Sequence, residues 1–168
     1  MYDAAFSEVI QNCATVARDG EATGTWITQE MRSAYQVLHK MGVAHSVEVY
    51  EANQLIGGLY GVLLGRVFFG ESMFSLRSNA SKVAFIALSR ACAQGGVKLI
   101  DCQVDNPHLM SLGATSMPRK DFENHLRDAI KVTMEEILSD PLCLVPERRR
   151  TLPERLGSFD LRSMEQLL

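Results

Sequence analysis

The stretch from Arg66 to Val104 constrains the fold of this chain more than any other. It reads RVFFGESMF, then the polar SLRSN, then ASKVAFIALSRACAQGG, then VKLIDCQV. The third run is too long for a strand, and its apolar residues lie on more than one face: Val83 and Ala87 on one, Phe85, Leu88 and Cys92 on another. That pattern predicts a helix buried on several sides. Gly95-Gly96 ends it, and the β-branched, apolar VKLIDCQV predicts a strand. Strand, helix and strand form a β–α–β unit, whose crossover joins parallel strands.

The flanking segments complete the architecture. Phe6, Val9, Ile10, Cys13 and Ala17 recur at helical spacing, so a one-sided helix is expected over Asp3 to Arg18, with Asp3 as N-cap. The Gly- and Thr-rich DGEATGT reads as a loop that delivers Trp26, and Thr28 starts a second helix with Met31, Ala34, Tyr35 and Leu38 on one face and Gly42 at its close. AHSVEVYEA, LIGGLYGVLLG and RVFFGESMF, separated by Asn, Gly and Arg, predict an antiparallel meander. The glycines of LIGGLYG weaken a strand unless a bulge or a bound ligand needs close access to the backbone. Beyond DNPHL, a short turn to Gly113 precedes a long helix from about Arg119 to Leu138, with Phe122, Leu126, Ala129, Ile130 and Ile137 facing inward. After Asp140 the prolines and Arg148, Arg149, Arg150 and Arg155 break periodicity, which predicts one domain over 1–140 and a loosely packed or partly disordered tail over 141–168. The order helix, helix, three antiparallel strands, helix, strand, helix is that of an α+β, acetyltransferase-like (GNAT-like) mixed sheet flanked by helices, although other α+β folds share it.

Composition removes several function classes. At 168 residues the chain can bury one good core. No apolar run approaches the roughly 20 residues that span a bilayer, and residues 1–20 lack a signal-peptide pattern, so no membrane partner and a cytoplasmic location are expected. Cys13, Cys92, Cys102 and Cys143 form no CxxC pair, and the four histidines show no ligand spacing, so neither zinc nor a disulfide framework is expected. A net charge of −3 gives no basic footprint for gripping a nucleic-acid backbone.

Three polar residues stand out against this apolar background. On a strand, Asp101 and Gln103 project from one face while Cys102 points away. Leu99, Ile100 and Val104 around them suggest a central strand, where a carboxylate and an amide need hydrogen-bond partners. A structural network tying strand to loop explains the pair equally well. Glu71, in FFGESMF, sits at a strand end where a loop can open a pocket, and it reads as a second acid near Asp101, as a capped strand end, or as an ion-pair partner of Arg77 or Lys82.

The stretches GTWI, HSVEVYE, LIGGLYGV, FFGESMFS, NASKVA, KLIDCQVDNPHLMSLGA and PRKDF, in this order and spacing, resemble the leucyl/phenylalanyl-tRNA–protein transferases over roughly residues 3 to 127. The resemblance implies an enzyme that moves Leu or Phe from aminoacyl-tRNA to the N-terminal Arg or Lys of a protein, marking it for degradation. It implies Asp101 and Gln103 as the catalytic pair and Glu71 as an active-site acid. Trp26 is then part of the wall receiving the terminal adenosine, Leu59, Met73, Phe85, Leu88 and Ile100 line the pocket for the transferred side chain, and Asn106 joins the substrate-binding set. No cofactor and no metal are implied. The family's N-terminal domain, with basic residues for the tRNA acceptor stem, is expected to be absent here or supplied by a separate chain.

The implied chemistry needs orientation more than basicity, because the ester is already activated and an α-amine has a pKa of about 7.7–8.0. Asp101 is expected to accept from the Gln103 side-chain amide, turning its carbonyl oxygen toward the amine. Two other readings remain open: a short paralogue using another activated donor such as acetyl-CoA, and a non-catalytic module that binds N-terminal Arg or Lys. Against acetyl-CoA, ESMFSLRSNASK lacks the glycines that let backbone amides cradle a pyrophosphate at a helix start.

Overall fold

The computed structural model describes residues 1–16 and 26–139. Its elements are α1 (Phe6–Thr15), α2 (Gln29–Lys40), β1 (Ala44–Glu51), β2 (Gln54–Leu64), β3 (Val67–Ser75), α3 (Ala80–Gln94), β4 (Leu99–Asp101), α4 (Pro107–Ser111) and α5 (Arg119–Ser139). The sheet order is β1-β2-β3-β4, antiparallel throughout the meander and parallel between β3 and β4. The α+β mixed sheet read from the sequence is the one found.

Local chemistry sets the helix ends. The Thr28 side chain accepts from the Met31 N–H, and Gly42 leaves α2 with φ 73°, a conformation glycine adopts at no steric cost. Asp3 is not the cap of α1. Its carboxylate instead accepts from the Ser46 N–H at 2.8 Å and meets the buried His45 Nδ1 at 2.8 Å, tying the N-terminal segment to β1, and α1 begins two residues later than expected.

Both sheet faces are covered. Phe6, Val9, Ile10, Cys13 and Ile27 pack with Ala44, Tyr60 and Phe74 on the α1/α2 side. Val47, Val49, Ile56, Leu59 and Phe68 pack against Ala80, Ala84, Leu88, Ala91 and Cys92 on the α3 side. The buried residues of α3 thus form one stripe, with Val83, Phe85 and Ala87 half-buried at its flanks, so the helix is covered on one side rather than several.

Two register shifts decide which side chains face which layer. Tyr60 pairs with Ser72 and Gly61 with Gly70, which leaves Glu71 without an opposite residue. Phe68 and Met73 consequently both point toward α3, although five residues apart, and Phe74 points toward α1. A second shift between Val49 and Tyr50 leaves Ile56 as the extra residue and likewise puts Ile56 and Leu59 on one face. Such bulges bend a strand and re-aim its side chains. The glycines serve packing here: a Cβ on Gly57 would lie 2.5 Å from the Ala80 Cβ, and one on Gly61 would lie 2.2 Å from the Phe69 carbonyl oxygen.

The last strand corrects two expectations. VKLIDCQV yields only three strand residues, and β4 lies at the end of the sheet among the described residues, not at its centre. Val104 is 67% exposed and Ile130 38%, so neither faces the core, while Ala129 is buried as expected. Side chains beyond residue 130, including Ile137, and the tail lie outside the described residues, as do the DGEATGT loop and Ala17.

Candidate active site

The parallel pairing of β3 and β4 ends at Phe69↔Asp101, while β3 runs on beside β2 to Ser75. The two strands therefore part at their carboxyl ends, where the Gly70 carbonyl has no β4 residue opposite it. Gln103 fills that place. Its side-chain Nε2 donates to the Gly70 oxygen at 2.9 Å and lies 3.5 Å from Glu71 Oε2, and its backbone N–H donates to Asp101 Oδ1 at 2.8 Å. Two acceptors facing one end of the amide fix that end as nitrogen and leave Oε1 as an acceptor for something else.

Asp101, Gln103 and Glu71 are thus neighbours, but not for the reason strand periodicity suggests. Gln103 lies past the end of β4 with φ 65°, so a left-handed turn brings it back over Asp101. Nor does the Gln103 side chain go to Asp101. The carboxylate takes the backbone N–H, and the amide goes to β3. Glu71 reaches the pair because it is the bulged residue.

Tyr35 is a further member that its place on the apolar face of α2 conceals in the sequence. Its phenol lies beside the Glu71 carboxylate, and its ring stacks edge-on against that of Tyr60 at 5.1 Å between ring centres. Burial, with the neighbouring Glu71 carboxylate as the smaller cause, raises the Tyr35 phenol well above the ordinary tyrosine range, so it stays protonated. The neighbouring Cys102 thiol is also raised, by burial first and by Asp101 second, which leaves it a poor nucleophile at neutral pH.

Beside this cluster opens a cleft of about 850 Å³ between α3, β4, α4 and the start of α5. Phe85, Ile100, Asp101, Gln103 and Asn106 line it. Asn106 also caps α4, its Oδ1 accepting from the Leu109 N–H at 3.1 Å with Pro107 at the first helical position. Leu59 and Leu88, at 3% and 1% exposure, belong to the core behind the cleft, and Met73 packs against that core with Phe85 and Ile100. Trp26 lies in the segment leading into α2, 46% exposed, and no described contact joins it to the acids. Among the described residues no group of three His, Cys, Asp or Glu side chains could hold a metal ion, and no helix is long and apolar enough to cross a membrane.

Comparisons with known proteins bear on the fold and on the family. Over 70% of the chain, the fold superimposes on 84% of an aminoglycoside acetyltransferase from an uncultured soil metagenomic sample, solved with trehalose, at TM-score 0.51 and 13% identity. At that identity the likeness speaks for the acetyltransferase-like fold alone. The leucyl/phenylalanyl-tRNA–protein transferase of Xanthomonas euvesicatoria pv. vesicatoria is 52% identical over 131 residues, covering 78% of this chain and 52% of that protein. That of Syntrophotalea carbinolica is 55% identical over 128 residues, covering 76% and 55%. The chain spans about half the length of the curated relatives it matches. The family model described as leucyl/phenylalanyl-tRNA protein transferase matches residues 1–127, and with these identities the chain belongs to that family.

Proposed function

We propose that this chain carries the catalytic centre of an aminoacyltransferase that moves Leu or Phe from aminoacyl-tRNA to the N-terminal Arg or Lys of a protein, in the cytoplasm where charged tRNA is found. The observation that carries the reading is the Gln103 amide, held by Gly70 and Glu71 at the parted ends of β3 and β4 with one acceptor free. In a member of this family, that acceptor is suited to an N–H of the incoming amine.

The neutral amine lone pair attacks the ester carbonyl carbon, a C–N bond forms, the ester C–O bond breaks, and the ribose oxygen leaves as a hydroxyl after taking the proton the amine sheds. A carboxamide is too weak a base to hold that proton, so Gln103 orients the amine while the Asp101 charge offsets its developing positive charge. Orientation of this kind supplies several kcal/mol without acid–base strength. Glu71 and Asp101 place negative charge where a cationic Arg or Lys side chain must sit. Phe85 and Ile100 stand at the apolar wall, with Met73, Leu59 and Leu88 behind them to receive a Leu or Phe side chain. Trp26 and Asn106 are assigned to the terminal adenosine and its neighbourhood. Further grip on the tRNA is assigned to the part of the relatives' length outside the match, on the same polypeptide or a separate chain.

Acetyl-CoA is disfavoured as donor. At the start of α3 the Ala80 N–H goes to the Arg77 carbonyl and the Ser81 N–H to the Ser75 hydroxyl, so these amides are already used. The test is to incubate the protein with Phe-tRNA, a phenylalanyl-adenosine ester or acetyl-CoA, and peptides beginning with Arg, Lys or Ala, and to identify products by mass spectrometry. Phe addition to the Arg and Lys peptides alone is expected. Acetylation, or equal modification of the Ala peptide, overturns the reading.

A further inference from the structure

We infer that Gly61, on β2, is a positioning residue for the proposed transfer: its missing side chain makes room for the β3 bulge that aims the Gly70 carbonyl and Glu71 at Gln103. The inference rests on the reading of Gln103 as the group that orients the amine. Gly61 is one of the glycines of LIGGLYG, a residue type that weakens a strand unless something must approach its backbone closely. Leu59 and Tyr60 pack on opposite faces of the sheet, so strand alternation points position 61 toward α3, as Leu59 does. That space is taken. A Cβ on Gly61 would lie 2.2 Å from the Phe69 carbonyl oxygen and 2.5 and 2.6 Å from Cε1 and Cζ of the Phe68 ring. The ring belongs to a side chain, whereas the carbonyl belongs to the strand itself. A Cβ on Gly70, the residue opposite, would lie 3.4 Å from the Asp101 carbonyl oxygen, an ordinary contact. At this pair, the need for space falls on Gly61.

The crowded carbonyl lies in the stretch of β3 that builds the site. Phe69 is the last β3 residue paired with β4, opposite Asp101. The following carbonyl, of Gly70, accepts from Gln103 Nε2 at 2.9 Å, and the following side chain, of Glu71, lies 3.5 Å from the same nitrogen. Glu71 is the extra residue between the pairs Tyr60↔Ser72 and Gly61↔Gly70, and a bulge of this kind re-aims the groups beside it. The Phe69 oxygen and the Gly70 nitrogen share one planar peptide, so a methyl group at position 61 that pushes the oxygen away turns the Gly70 backbone with it. Gly61 lies on β2, with β3 between it and β4, and acts through that backbone. Gly57 supplies the contrast. Its Cβ would lie 2.5 Å from the Ala80 Cβ, but it pairs with Ser75, the last residue of β3, away from the bulge.

The test compares Gly61→Ala with Gly57→Ala in the full chain, below the melting temperature of either, by the Gln103 side-chain amide signals in proton–nitrogen NMR spectra. Both variants should melt below the wild type. The amide signals are expected to move to those of a free glutamine side chain in Gly61→Ala and to stay in place in Gly57→Ala. Signals that stay in place in both, or move equally in both, overturn the inference. Should Gly61→Ala fail to fold, Gly61→Ala combined with Phe68→Leu takes its place: the smaller side chain relieves the ring contacts and leaves the carbonyl contact, so the amide should still be free. A wild-type amide signal in that double variant overturns the inference. Single-turnover transfer of Phe from a phenylalanyl-adenosine ester to an Arg-initiated peptide should fall at least about tenfold in Gly61→Ala and less than about twofold in Gly57→Ala; equal rates contradict it. A chain without transfer activity fails the proposed function and leaves the amide signals to decide the role of Gly61.

Discussion

Gln103 sits at φ 65°, a left-handed conformation that costs a residue with a Cβ about 1–2 kcal/mol. Strain of that size persists where the surroundings hold it, and here the hold is the pair of bonds to Gly70 and Asp101. Gln103→Gly should therefore melt within about 2 °C of the wild type, or above it, in a thermal scan. A large drop would mean that the residue is structural. Tyr35→Phe removes the phenol hydroxyl that lies beside the Glu71 carboxylate, so urea unfolding should show a lowered midpoint. An unchanged midpoint would remove Tyr35 from the cluster. The sequence made Asp101, Gln103 and Glu71 legible as polar residues in apolar runs. It hid Tyr35, whose spacing with Met31, Ala34 and Leu38 is that of an ordinary buried helix face.

At the scale of elements, helix positions were legible because caps and glycines act locally, and strand details were not because pairing partners lie far away in sequence. Thr28 announces α2 by itself, and Thr28→Ala should cost about 1 kcal/mol in denaturant unfolding. Asp3 looks like the same device but is claimed by His45 and Ser46, more than forty residues away. The bulge at Glu71 and the shortness of β4 likewise follow from register with β2 and β3, which no single run contains. The glycines of β2 mark such a constraint. Gly57→Ala drives a Cβ to 2.5 Å from that of Ala80 and should destabilise the fold by about 1–3 kcal/mol. In a double-mutant cycle, Ala80→Gly should recover part of that loss; strict additivity would show that the two do not touch.

For the whole molecule, the sheet with α1 and α2 on one face and α3 on the other places the one parallel pair among the described residues beside the candidate site, and parting of that pair creates the opening. Helix and strand periodicities made the layer order readable, whereas the side toward which each strand's residues point depended on two bulges. The core also sets an alkaline limit. Burial raises the Cys92 thiol from 9.0 to about 12, so the folded chain keeps a proton that the unfolded chain releases. That contribution is complete below pH 9 and is lost as pH rises from 9 toward 12. The melting temperature should fall across this window in the wild type and fall less steeply in Cys92→Ala, which starts lower at pH 8 because packing is lost. Parallel curves would contradict the assignment. The most direct test of the central claim is single-turnover transfer of Phe from a phenylalanyl-adenosine ester to an Arg-initiated peptide by wild type and Gln103→Gly. A fall of at least about 100-fold in the variant, with its melting temperature held, is the predicted result. Transfer at the wild-type rate would contradict it.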